Sequence, residues 1–201
     1  VGEIQIPKIE ETQTTNKTRF AAYFEKADNM PSDLSCFAFV VLRAEECEKY
    51  NGDIPLIAEL PRASGDETVI KNLIEKAKNC GAKAALVGNL AHIELCRAAC
   101  MPFITSFGLN LYNSYAIKLF ETLGAKAHLL NFEQKEGELK NLKADKPTGI
   151  IAYGKLPLML TRNCPLKNGT SCNKCDKNGY ITDRTGARFP VRCRNGFSTL
   201  Y

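Results

Sequence analysis

IPLIAEL at residues 54–60, DETVIKNLIEKAKNCG at 66–81 and AALV at 84–87 form one strand–helix–strand unit, and the fold class follows from it. The outer two segments are short, nearly continuous apolar runs, as in strands buried on both faces of a parallel sheet. Between them Asp66 is placed to cap a helix. Val69, Ile70, Leu73, Ile74 and Ala77 recur at helical spacing, and Gly81 ends the helix. Two strands joined through a helix in this way make a right-handed parallel crossover.

The same alternation extends in both directions. Strands are expected at 19–24, 37–42 (FAFVVL), 101–107, 126–132 and 149–153, with helices over 91–99 and from Asn113 to Gly124. Six or seven strand signals alternating with helices predict an α/β fold, a parallel (β/α) barrel that is TIM-barrel-like and incomplete, spanning 19–161. An open doubly wound sheet is the other architecture that the alternation permits. Residues 1–18 read as a linker or edge segment, and 162–201 as a Cys-rich β-hairpin module packed on the barrel. Barrels place their chemistry at the C-terminal ends of the strands, and polar residues gather there: Glu59, Arg62, Asn89, Ser106, Asn110, Asn113, Glu133 and Tyr153. Any one of them alone is what a helix cap or a solvated loop also uses. The collection carries the pocket reading, and no catalytic residue stands out within it.

With 201 residues, 44% hydrophobic and 24% charged, the chain can bury one core and a small appended module. No run reaches the roughly 20 apolar residues of a membrane span, and no charged-then-apolar leader opens the chain. A cytoplasmic protein with no membrane partner is the expectation. The chain starts at Val1 with a polar lead, which suggests a piece of a longer protein whose other domains are its partners. Nine cysteines, an odd number without an export signal, read as reduced thiols. Cys36, Cys47, Cys80, Cys96 and Cys100 lie in apolar or helical patterns and read as small buried hydrophobes.

The remaining cysteines, Cys164, Cys172, Cys175 and Cys193, lie within 162–194. Two residues between Cys172 and Cys175 make a knuckle that can aim both sulfurs at one ion. A turn centred near Thr185 folds 179–182 against 188–191, placing Cys193 opposite Asn178 and close to Cys175. Four thiolates suit a closed zinc site or an iron–sulfur cluster equally. The same stretch holds eight Lys/Arg against two Asp, a net +6 that leaves −1 for the rest of the chain. Arg162, Arg184, Arg188, Arg192 and Arg194 are therefore candidate anion-binding residues for RNA or a small anionic substrate, although offsetting the thiolates explains the same excess.

Several of these segments resemble peptidase family U32, the collagenase-like proteins. The likeness is carried by IPLIAELPR (54–62), VGNL (87–90), GLNLYNS (108–114), YGKLPLML (153–160) with the cysteines that follow, Asp183-Arg184 and FPVRC (189–193). It runs from about residue 37 to the C-terminus and looks closest to the C-terminal portion of long bacterial members, where a later barrel follows an inserted domain. The resemblance implies a peptidase label. It also implies, for several members, oxygen-independent hydroxylation of tRNA, ribosomal RNA or quinone precursors with a 4Fe-4S cluster, whose ligands here would be Cys164, Cys172, Cys175 and Cys193. The residues themselves lend the protease reading little support. His92 and His128 are the only histidines, and neither a His-Glu-x-x-His helix nor a Gly-x-Ser-x-Gly elbow is present.

Overall fold

The computed structural model describes residues 17–167, Cys172 and residues 175–201. Most of the expected linker, 1–16, and the Asn173-Lys174 step of the expected knuckle lie outside the described residues.

Strands β1 (Ala21–Phe24), β2 (Phe39–Arg43), β3 (Leu56–Glu59), β4 (Ala84–Val87), β5 (Phe103–Thr105), β6 (His128–Leu129) and β7 (Thr148–Gly149) pair in parallel. Each pairs with the next in chain order. A doubly wound sheet must reverse its order; this one never does, and its seven strands curl into a half-barrel. Helices α1 (Glu67–Asn79), α2 (Leu90–Ala98), α3 (Ser114–Thr122) and the short α4 (Glu136–Lys140) make the later crossovers. The first two connections carry only 3-10 turns, at 27–29 and 44–49.

Local chemistry explains the helix starts. Asp66 accepts the Thr68 N–H at 2.8 Å, Asn89 that of Ala91 at 3.0 Å and Asn113 that of Ala116 at 2.9 Å. The buried stripe of α1 is Ile70, Leu73, Ile74 and Ala77. Val69 drops out of the expected stripe at 37% exposure, because the i, i+3, i+4, i+7 set closes without it.

Strand alternation divides the sheet between two environments. Val40, Leu42, Ala58, Ala85 and Val87 pack against the helices with Ile70, Ile74, Ile117 and Phe120. Their neighbours Val41, Ile57, Ala84 and Leu86 form a second cluster on the opposite, concave face, with Phe39, Ile104 and Leu129 packed beside it. A closed barrel fills this interior from all sides. Here it opens on a groove of about 1890 Å³.

A second sheet roofs part of that groove. It comprises β8 (Met159–Thr161), β9 (Asn178–Thr182), β10 (Arg188–Arg194) and β11 (Phe197–Leu200), antiparallel in the order β8-β11-β10-β9. β8 spans the expected domain boundary at 161, so the small sheet takes up the end of the apolar 156–160 run instead of leaving it to the parallel body. The Asp183 carboxylate accepts N–H groups from Thr185 and Ala187, holding a five-residue turn that sets Thr182 opposite Arg188. Arg192 consequently faces Asn178, and Cys193 donates its N–H to the Lys177 carbonyl at 2.8 Å, one residue from the expected register. Asn195 and Gly196, with φ of 51° and 81°, form the two-residue turn into β11.

Arg194 fastens the two sheets together. Its Nε and Nη2 meet both oxygens of Glu45 at 2.9 and 2.7 Å, and Nη1 reaches the Glu59 carboxylate at 2.5 Å. Nη2 also donates to the Glu59 carbonyl at 3.0 Å, and Asn195 adds a bond to Glu45 at 3.1 Å. Burial works against both charges. The guanidinium nevertheless holds the Glu45 carboxyl below its ordinary value, and the two carboxylates push Arg194 further up.

Two predictions follow from this packing. Arg194→Met leaves Glu45 and Glu59 without their cation and should lower unfolding stability by about 3 kcal/mol, the low end for a broken buried pair because all three side chains keep some exposure. Urea denaturation measures the loss, and a decrease under 1 kcal/mol, about what an exposed pair contributes, would show that Arg194 does not fasten the sheets. Separately, His128 is buried, its Nδ1 2.8 Å from Thr105 Oγ1 and its Nε2 3.7 Å from Glu121. Desolvation holds it below the ordinary 6.5 despite Glu121, and burial does the same to His92. The unfolded chain then binds the extra protons. Stability is complete above about pH 6.5 and is lost as pH falls from there toward the two native midpoints. Histidine NMR titrations should show both midpoints under 6.5.

Candidate functional site

The register of the small sheet gathers the cysteines at one end. Thr161, Ser198, Cys193 and Lys177 lie in one row across the four strands. Cys164 follows that row by three residues in a turn closed by Lys167 N–H to the Cys164 carbonyl. The turn packs onto the sheet through Leu166. A Cβ on Gly179 would meet the Leu166 methyl groups at 2.7 and 2.9 Å, so a side chain there would have to displace Leu166. Cys175 precedes the row by two residues, and its sulfur accepts the Lys177 N–H at 3.3 Å. Lys177 takes φ 58°, the left-handed conformation, as the chain turns into β9. A backbone N–H donated to sulfur is the kind of contact that steadies a thiolate ligand.

Cys164, Cys175 and Cys193 are half-buried, and Cys172 is exposed. Among the described residues no three Cys, His, Asp or Glu side chains stand close enough together to hold an ion. The donor set itself, soft thiolates with an N–H···S contact in place, fits zinc or an iron–sulfur cluster.

Alternation along β10 decides which way this end faces. Arg192 and Arg194 reach Glu25 and Glu59 on the half-barrel, and both line the groove with Phe197 and Thr199. Cys193, between the two arginines, projects from the opposite face, shared with the buried Val191, Ser198 and Leu200. One sheet thickness therefore separates the Cys193 sulfur from the groove.

The rim candidates divide by partner. Glu59 belongs to the Arg194 clamp and also accepts from the Tyr23 hydroxyl at 3.3 Å. Asn113 serves as the α3 cap, and Tyr153 is fully exposed. Arg62, Asn110 and Glu133 share a small cavity of about 170 Å³ with Phe107, Asn131 and Phe132. Asn131 donates to Asn110 at 2.9 Å, and Glu133 accepts from the Tyr112 hydroxyl at 2.6 Å. Asn89, besides capping α2, donates to the Arg62 carbonyl at 3.0 Å.

Among the proposed anion-binding arginines, Arg162 and Arg184 are exposed and Arg188 lies 4.5 Å over the Tyr180 ring. Arg192 stands 3.9 Å from Glu25, and the donors of Arg194 are turned to Glu45 and Glu59. Glu45, Asn195 and Asn131 were not among the expected site residues. The Asn195-Gly196 pair is a strong hairpin signal that identifies one of them; Glu45 and Asn131 have no local signature.

No protein-family model matches the chain, and no curated protein or solved structure shows significant similarity to it. No helix among the described residues is long and apolar enough to cross a membrane.

Of the five cysteines read as structural, Cys47 and Cys96 are buried, Cys80 is half-buried, and Cys36 and Cys100 are exposed. Burial pushes the Cys47 and Cys96 thiols up to about 12, leaving almost no thiolate at neutral pH. Native alkylation of metal-free protein with iodoacetamide, read by peptide mass spectrometry, should label Cys36, Cys100 and Cys172 early and Cys47 and Cys96 last.

Proposed function

We propose that this chain is the iron–sulfur-bearing portion of an enzyme that modifies RNA or a small aromatic substrate by an oxygen-independent hydroxylation, in the manner that the resemblance to family U32 implies. It would work in the cytoplasm beside other domains of a longer parent chain. The observation that carries the reading is the convergence of the Cys164, Cys175 and Cys193 segments on one end of the sheet that roofs the groove, with the Lys177 N–H already on the Cys175 sulfur. Cys164, Cys172, Cys175 and Cys193 would hold the 4Fe-4S cluster. When bound, such a cluster supplies one-electron chemistry. The chain's own residues supply the rest: Arg194, Glu45 and Glu59 hold the cysteine-bearing sheet over the groove, and the concave face gives whatever lies there an apolar bed.

A zinc-stapled binding module without catalysis is the second reading. The position of Cys193 on the face away from the groove favours it, since a structural ion needs no access to substrate. The protease reading draws on the resemblance alone. His92 is buried on α2, and His128 is bonded to Thr105.

Protein purified without oxygen should contain iron and acid-labile sulfide in near-equal amounts with visible absorbance. Cys175→Ala should abolish the colour and Cys96→Ala should keep it. Stoichiometric zinc without iron would sink the redox reading in favour of the staple.

A further inference from the structure

Arg62 is a cation that the fold has taken care to position. It lies just past the C-terminal end of β3, half-buried, with its guanidinium carbon 5.2 Å over the Phe107 ring. Its stem crosses two glycines. A Cβ on Gly88 would meet Arg62 Cγ at 3.0 Å, and one on Gly108 would meet Nε at 2.8 Å. Neither glycine has a left-handed φ, so the space, and not the backbone conformation, is what a side chain there would take. The Asn89 amide pins the Arg62 carbonyl from below.

This cation differs from the other half-buried arginines of the groove; Arg19, which also lines it, is exposed. Arg43, Arg192 and Arg194 each face a carboxylate, whereas among the described residues no carboxylate pairs with Arg62. Stacking on Phe107 occupies a face of the guanidinium and leaves its in-plane N–H edge for an acceptor, the geometry that matches a carboxylate in a fork. The adjoining cavity is small, about 170 Å³ against the 300 Å³ or more of drug-sized sites, and it is walled by Phe107, Phe132, Leu158 and Leu160. The Glu133 carboxylate on the same wall is engaged by the Tyr112 hydroxyl.

We infer that Arg62 is the anion-recognition residue of a binding site for a small planar carboxylate, such as a single aromatic ring bearing one carboxyl group, with the ring against Phe107 and Phe132. Asn131 and Asn110, bonded to each other, form the polar wall of the site. The inference rests on the proposed enzymatic reading only for the ligand's being a substrate. Binding itself follows from the surroundings of Arg62.

The test uses the full chain, labelled with ¹⁵N, titrated with benzoate, its neutral counterpart benzamide, and inorganic phosphate. Benzoate should shift the Gly88 and Gly108 amide signals saturably, and benzamide should not. Arg62→Met should weaken benzoate about tenfold or more, as loss of a charge-assisted pair predicts. Gly88→Ala, whose Cβ would meet the Arg62 stem at 3.0 Å and no backbone atom, displaces the guanidinium without removing its charge; read at the Gly108 amide, it should weaken benzoate as well and serves if the first variant fails to fold. Equal responses to benzoate and benzamide, or an unchanged affinity in both variants, would overturn the assignment. Phosphate binding tighter than benzoate would also overturn it and reassign Arg62 to a phosphate-bearing ligand such as RNA. The titration is independent of iron content, so saturable benzoate binding keeps this site even if protein purified without oxygen holds no iron and the redox reading fails.

Discussion

The Arg194 guanidinium is the main polar tie between the two sheets of this molecule. Arg194 extends from β10 to Glu45 and Glu59 at the C-terminal rim of the parallel sheet, and its donors are spent on those two residues. Taking one cation and two carboxylates largely out of water is unfavourable unless each finds its partner. In the observed placement of the small sheet Arg194, Asn195 and Arg192 all meet carboxylates of the parallel body. The adjacent Tyr23 hydroxyl lies between Glu59 and Arg43, and desolvation at this end of the half-exposed side chain, with the Glu59 charge, holds its proton more tightly.

The need for such a clamp comes from the incomplete barrel. Helices cover one face of the seven-stranded sheet, whereas the concave face carries Val41, Ile57, Leu86 and Ile104 toward a groove. Apolar surface of that extent favours a cover. The antiparallel sheet gives part of it through Pro190, Phe197 and Tyr201. Its polar clamp adds direction to a contact that apolar burial alone would leave free to slide.

Alternation along one strand then separates two chemistries. Arg192 and Arg194 face the groove, so Cys193 cannot. The Cys193 thiol lies behind the roof, and the open polar groups lie at the strand ends, where Arg62 lies on Phe107. A metal centre behind the roof and a ligand at the rim would communicate across the sheet, not by direct contact.

Much of this was legible in the residues because it is local. Continuous apolar runs such as AALV, the Asp66, Asn89 and Asn113 caps, and the Gly81 and Gly124 stops depend on neighbours a few positions away, and each takes the expected place. The barrel-type winding was also anticipated from the regular alternation of strands and helices. Tertiary structure alone decided the rest. Nothing near Met159 in sequence says that its run leaves the parallel body to pair with β11, since that choice depends on a partner about forty residues away. Glu45 meets Arg194 across 149 positions, and Arg62 has no carboxylate partner among the described residues only because of where others fall. By itself the sequence determined which segments become strands and helices, and which thiols and cations are available. Which charges are cancelled and which remain open depends on distances in space, and those exist only once the chain has packed.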